Sequence, residues 1–340
     1  MDFFQLISDL GKADPEFMER INPRRRVFKY LGNTGKKITA AAAPAILASF
    51  FTKAYGQTST LPQTVIDVLN LALGLEYLEY YFYDTALNTT GLVPSAETNA
   101  ITTIRNDEAG HINTIRGVLG SAAIADPTRA AFDYSGGSGT GAGPLALALT
   151  PGGVNANGVL FFGAAQAFSD TGQRAYKGGA PVLNTNATKD ILEAALNIHS
   201  VEARHNSHFR TVRRAIVANT LGAATAPAVS PYDDAPKSWI SGRDNNGPTA
   251  LPSNTKPASA VYGPGNPATG NVTVSAGADT VYPAEDNTTQ ASVSLLTALG
   301  TTYTAAQVSE AFDEPLDAAT VKTIARMFVT PAAITAGLFK

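Results

Sequence analysis

The sequence predicts an all-α fold, an antiparallel four-helix bundle with one long crossover, followed by a long irregular C-terminal extension carrying short helices. Three observations predict it. Four long segments place apolar residues at helical spacing. The links within each helix pair are short, whereas a long glycine-rich stretch joins the pairs. Finally, Glu-Ala-x-His followed by Arg five residues on is written twice, as Glu108, Ala109, His111, Arg116 and again as Glu202, Ala203, His205, Arg210. Only 4 histidines occur in 340 residues, and two of them fall at the same place in this echo.

The first helix, about 62–88, starts at Pro62 behind Ser59 and Thr60, with Val65, Val68, Leu69, Ala72, Leu75, Glu76, Glu79, Phe82 and Tyr83 on one face. The second, about 95–119, follows Pro94 and stops at Gly120. The crossover is "SGGSGTGAGPLALALTPGG", residues 135–153. A third helix over about 155–177 is expected to end at Gly178-Gly179, and a fourth over about 187–220 to run from an Asn186 cap to Gly222. Residues 223–287 are rich in Pro, Gly, Asn, Thr and Ser, with a hint of strand in "NVTVSAGADTVY". "TTQASVSLLTALG" (288–300) and "DAATVKTIARMF" (317–328) read as helices, the latter capped by Asp317 and stopped before Pro331. Three segments result: an N-terminal 1–56, a bundle over 57–222, and a wrap over 223–340 that packs on the bundle.

The N-terminal segment has the parts of an export signal. Arg25-Arg26-Val27-Phe28 resembles the twin-arginine motif, "ITAAAAPAILASFF" (38–51) is a short apolar run, and Ala54 and Gly56 offer a small-x-small exit. The expectation is export to the periplasm or cell envelope by the twin-arginine route. The alternative is an N-terminal arm retained on a cytoplasmic protein, because the segment before the arginines is long and amphipathic. The apolar run is too short to span a membrane. With no cysteine, disulfides and thiolate ligands are excluded, so any metal must be held by nitrogen and oxygen. A net charge of −3 without dense basic and aromatic interleaving argues against nucleic acid as a partner.

Helical geometry carries the chemistry. Residues three apart share a face, so Glu108 with His111 and Glu202 with His205 each present a carboxylate and an imidazole to one point. Bundles that hold two metal ions use such a pair from each of two helices plus one glutamate from each of the other two. Glu76 lies 32 residues before Glu108, with Tyr83 seven residues after it. The matching position in the second half is Ser169, 33 residues before Glu202, with Tyr176 again seven residues on. The candidate metal ligands are therefore Glu76, Glu108, His111, Glu202 and His205. Glu79 is an alternative ligand or an outer hydrogen-bond acceptor, and Tyr83 and Tyr176 are packing residues whose hydroxyls bond a ligand carboxylate. Asp170 lies 100° round the helix from Ser169 and is a poor substitute for the missing carboxylate. Arg116 and Arg210 are expected to pair with acidic groups outside the ligand set, and His199 and His208 to serve at the surface.

The words "LEYLEYYFY", "NDEAGHINTIR", "FSDTGQRAYKGG", "VEARHNSHFR" and "AFDEPLDAATVKTIARMF" resemble the bacterial ferritin-like proteins often called desiccation-related. The resemblance covers about 62–215 and returns near 309–329. It implies a ferritin-like bundle, a di-iron or di-manganese centre holding one or two ions, export, and metal binding or oxidant handling under stress. Ferroxidase or catalase-like activity toward O₂ or peroxide is the enzymatic form of that reading, and a homo-oligomer is expected. The family pattern has Glu where this chain has Ser169, which predicts a weak, water-rich or absent second metal and a gain of metal in a Ser169→Glu variant. The rival reading is a catalytically inactive structural or assembly protein that retains the bundle.

Overall fold

The computed structural model describes residues 61–146, 148–149, 154–217, 260–268, 272–273 and 279–340. The twin-arginine signature, the apolar run at 38–51 and the 223–259 part of the wrap lie outside these residues.

Four long helices make the bundle: α1 Gln63–Leu87, α2 Thr98–Leu119, α3 Val154–Leu183 and α4 Lys189–Val217. Helix α1 packs along α2 and α3 along α4, and the two hairpins meet through α1 against α3 and α2 against α4. Helix α2 buries one stripe, in which Glu108 and His111 continue the line of Ile101, Ile104, Ile112 and Ile115. That spacing turns the polar pair inward. The middle of α1 is buried nearly all round, from Leu73 through Glu79. It is enclosed on several sides: the Tyr134 hydroxyl, from the link between α2 and α3, donates to the Leu78 carbonyl, and a Cβ on Gly74 would stand 2.8 Å from the Phe339 ring near the C-terminus.

Helix α3 does not end at Gly178-Gly179 but continues through them, and through Pro181, to Leu183. The glycines serve close approach instead of termination. A Cβ on Gly178 would stand 2.0 Å from the Leu316 carbonyl oxygen, and one on Gly179 would stand 2.8 Å from Val68. The returning chain therefore crosses α3 at backbone contact distance, and the Leu316 N–H donates to the Arg174 carbonyl at 3.1 Å.

The expected hint of strand is present as β1 Val272–Thr273 paired antiparallel with β2 Asp279–Thr280. Residues 288–294 are not helical. They form a hairpin, β3 Thr289–Gln290 with β4 Val293–Ser294, because Ala291 and Ser292 both take positive φ (48° and 67°) in a two-residue turn. Short helices follow as α5 Leu295–Leu299, α6 Ala305–Ser309, α7 Ala318–Arg326 and α8 Pro331–Thr335. Asp317 caps α7 by accepting from the N–H groups of Ala319 and Thr320.

One side chain ties this extension to the bundle. Arg174 of α3 is fully buried, pairs with Glu285 at 2.7 Å, and donates to the carbonyls of Val261, Gly263, Pro283, Glu314 and Pro315. The link between α2 and α3 joins the same layer, since the Asp133 N–H donates to the Phe328 carbonyl and the Thr330 N–H to that of Ala131. No helix among the described residues is long and apolar enough to cross a membrane.

Candidate metal centre

The bundle brings one short stretch of each helix to a common point: Glu76 and Glu79 from α1, Glu108 and His111 from α2, Ser169 and Gly172 from α3, Glu202 and His205 from α4. The charged members are all buried. Ligand atoms of Glu76, Glu108, His111 and Glu202 lie within 4.8 Å of one another. Nδ1 of His111 stands 3.0 Å from Glu76 Oε2, 3.1 Å from Glu108 Oε2 and 3.5 Å from Glu202 Oε1. Nδ1 of His205 stands 3.2 Å from Glu108 Oε1 and 3.7 Å from Glu202 Oε2. Glu108 and Glu202 thus each turn one oxygen toward each imidazole.

Several of these buried atoms make no well-formed hydrogen bond among the described residues and meet one another or His111 at 3.2–3.7 Å: Glu108 Oε1, both oxygens of Glu202, and the imidazole Nδ1 of His205. A buried carboxylate without partners is costly, on the order of several kcal/mol, unless it is protonated or meets a cation. The cluster of oxygen and imidazole donors is compatible with a bound metal ion.

Proton affinities reflect the same crowding. Burial pushes Glu76 up to about 8, against the pull of His111. Burial and the neighbouring Glu202 and Glu108 push Glu79 well above its ordinary range, and burial with Glu108 raises Glu202. Glu108 goes the other way. Burial raises it, but the imidazoles of His111 and His205 outweigh that and hold it at about 2. Burial opposes a proton on either histidine, yet the carboxylates together outweigh it and raise both, Glu76 with Glu108 around His111 and Glu202 with Asp107 and Glu108 around His205.

The surrounding hydroxyls hold individual oxygens. Tyr176 of α3 donates to Glu76 Oε1. Burial and the Glu76 charge push the Tyr176 phenol well above its ordinary range, so it keeps its proton for this bond. Tyr83 donates to Glu79 Oε2 at 3.2 Å, and its hydroxyl lies 3.5 Å from Ser169 Oγ. Two contributors escaped sequence reasoning. Asp107 takes Nε2 of His205 at 3.1 Å from the outer side, directing Nδ1 inward. Gly172 leaves open a space that a Cβ would occupy, 3.1 Å from Glu79 Oε1 and 3.6 Å from Glu202 Oε2. The signal for Asp107 was its place beside Glu108; for Gly172 it was its place three residues after Ser169.

Residues 64–215 match the family model of the ferritin-like domain. No curated protein and no solved structure matches the chain. The matched stretch runs from α1 to α4 and contains every residue of the cluster.

Asp170 lies outside the cluster. It accepts from Arg210 at 2.7 Å and from Tyr262 at 2.5 Å, forming a separate buried junction with the wrap. Arg210 pairs with an acidic group as expected, but among the described residues Arg116 does not. Its guanidinium donates to the Tyr77 hydroxyl at 2.8 Å and to the Ile124 carbonyl at 3.0 Å, because the end of α2 faces a loop there and not a carboxylate. His208 is part-exposed and meets Glu97 at 2.8 Å, while His199 is half-buried.

Proposed function

We propose that this protein binds iron or manganese in the core of its ferritin-like domain and uses the bound ion in handling O₂ or peroxide, as a ferroxidase or catalase-like protein of stress. The observation that carries the reading is the pair of buried oxygens on Glu202 that make no well-formed hydrogen bond among the described residues. Burying this carboxylate beside three others is costly unless protons or a cation balance it, and a metal ion can take the place of the protons that the metal-free cluster holds. Oxygen and imidazole donors suit iron or manganese, and either ion, when bound, supplies exchange between divalent and trivalent states.

The chain's own residues account for how such an ion is received. Glu108 and Glu202 face both imidazoles, Glu76 is oriented by the Tyr176 hydroxyl, and His205 is oriented by Asp107. The near-complete burial of the cluster keeps bulk water away, which strengthens each electrostatic contact. Export and a desiccation-related role belong to the same proposal and rest on the N-terminal motif and the family resemblance.

Elemental analysis of the purified protein and of a variant carrying both His111→Ala and His205→Ala tests the reading. The parent is expected to retain iron or manganese and the double variant to lose it. Equal metal content in the two removes the assignment. A parent that takes up neither ion favours the assembly role instead.

A further inference from the structure

We infer that the centre has a second metal position and that Glu79 of α1 supplies the carboxylate that Ser169 of α3 does not. The inference rests on the metal-binding reading above.

The two halves of the bundle correspond residue by residue: Glu76 with Ser169, Glu79 with Gly172, and Tyr83 with Tyr176. In one direction the correspondence is kept, since Tyr176 donates across the bundle to the Glu76 carboxylate. The reciprocal bond from Tyr83 would go to a carboxylate at 169. Tyr83 instead donates to Glu79 Oε2 at 3.2 Å, and the Ser169 hydroxyl donates to the same oxygen at 3.4 Å. Glu79 thus takes up the hydrogen bond that a residue-169 carboxylate would have received.

Its other oxygen has room because of Gly172. The point where a Cβ would stand is 3.1 Å from Glu79 Oε1 and 3.6 Å from Glu202 Oε2. A larger residue at 172 would fill the space between the two carboxylates. Ser169, Gly172 and Glu79 therefore form one compensating set, with the carboxylate approaching from α1 in place of α3.

Three further donor atoms face that position. Glu108 Oε1, Glu202 Oε2 and His205 Nδ1 are buried and make no well-formed hydrogen bond among the described residues, His205 Nδ1 standing 3.2 Å from the Glu108 oxygen and 3.7 Å from that of Glu202. Glu79 faces Glu202 Oε2 across the space at Gly172, as Glu76 on the other side shares His111 with Glu108 Oε2 and Glu202 Oε1. The centre holds two ions, Glu108 and Glu202 serving both. A single Ser169→Glu change then adds no ion, because its carboxylate would enter space already taken by that of Glu79.

The test uses the full chain and manganese(II) alone. Bound ions per chain are counted by equilibrium dialysis with elemental analysis, and low-temperature electron paramagnetic resonance reports whether they are spin-coupled. The parent is expected to bind two coupled ions. Glu79→Gln, which keeps the side-chain shape, should weaken the second ion at least tenfold and leave the spectrum of an isolated ion. Moving the carboxylate across, with Glu79→Ala and Ser169→Glu together, should restore the coupled pair. Two tight coupled ions in Glu79→Gln overturn the role of Glu79 while leaving metal binding in place, and so does a parent that binds only one. A parent that binds none overturns both this inference and the reading on which it rests.

Discussion

Glu76 and Glu108 touch the same imidazole, yet burial raises one to about 8 while the two histidines hold the other at about 2. The sign of each effect follows. Glu76 is raised from 4.5, so its contribution to the stability of the metal-free protein is full below that value and is lost as pH rises through about 8. Glu108 is lowered from 4.5, so its contribution is present above that value and is lost as pH falls toward about 2. A bound cation needs Glu76 ionised and His111 without its proton on Nδ1. Binding therefore releases protons, and manganese(II) affinity should rise by about tenfold or more per pH unit between roughly pH 6 and pH 8. Calorimetry in buffers of different ionisation enthalpy checks this. An affinity independent of pH, with no proton released, contradicts the assignment of Glu76.

At the scale of elements, glycine has two distinct uses in this chain. Gly120 ends α2 in a positive-φ conformation (54°), with nothing near its missing Cβ. Gly178 is the opposite case. It lies within α3, where alanine has the better intrinsic propensity, but the Leu316 carbonyl stands 2.0 Å from where a Cβ would be. Backbone atoms cannot turn aside as a side chain does, so Gly178→Ala must separate the returning chain from α3. The expected loss is about 1–3 kcal/mol, outweighing the propensity gain of about 1 kcal/mol. Urea denaturation measures it. A stabilised Gly178→Ala protein shows that the chain at Leu316 does not cross α3 so closely.

For the whole molecule, the decisive link between bundle and wrap is polar. Arg174 collects acceptors from residues 261–263, 283–285 and 314–315, segments far apart in sequence, around one guanidinium. Glu285 is wholly buried beside these carbonyls. Replacing Arg174 with methionine keeps the volume but removes every donor and leaves Glu285 unpaired. Breaking a buried pair in this way costs about 3–5 kcal/mol. Hydrogen exchange in the Arg174→Met protein should show lost protection at Gly265, Glu285 and Glu314, whose N–H groups are bonded within the wrap, while α1 and α2 keep theirs. Uniform loss across the molecule would place Arg174 in the general stability of the fold and not in the attachment of the wrap.

The sequence by itself determined the four helices, their pairing through short links, and the inward face of α2 and α4. These follow from periodicity, and a residue three positions from another shares its face wherever the helix is packed. The register between the halves was legible for the same reason, and it singled out Glu76, Ser169 and the two tyrosines. Tertiary structure alone decided that Glu79 turns toward the opening at Gly172, that Asp107 reaches His205 on another helix, and that Gly178 admits a backbone instead of ending α3. Arg116 belongs with these, since nothing local says whether a carboxylate or the Tyr77 hydroxyl awaits its guanidinium. Each of these outcomes depends on the separation between elements remote in the chain, which helical periodicity does not encode.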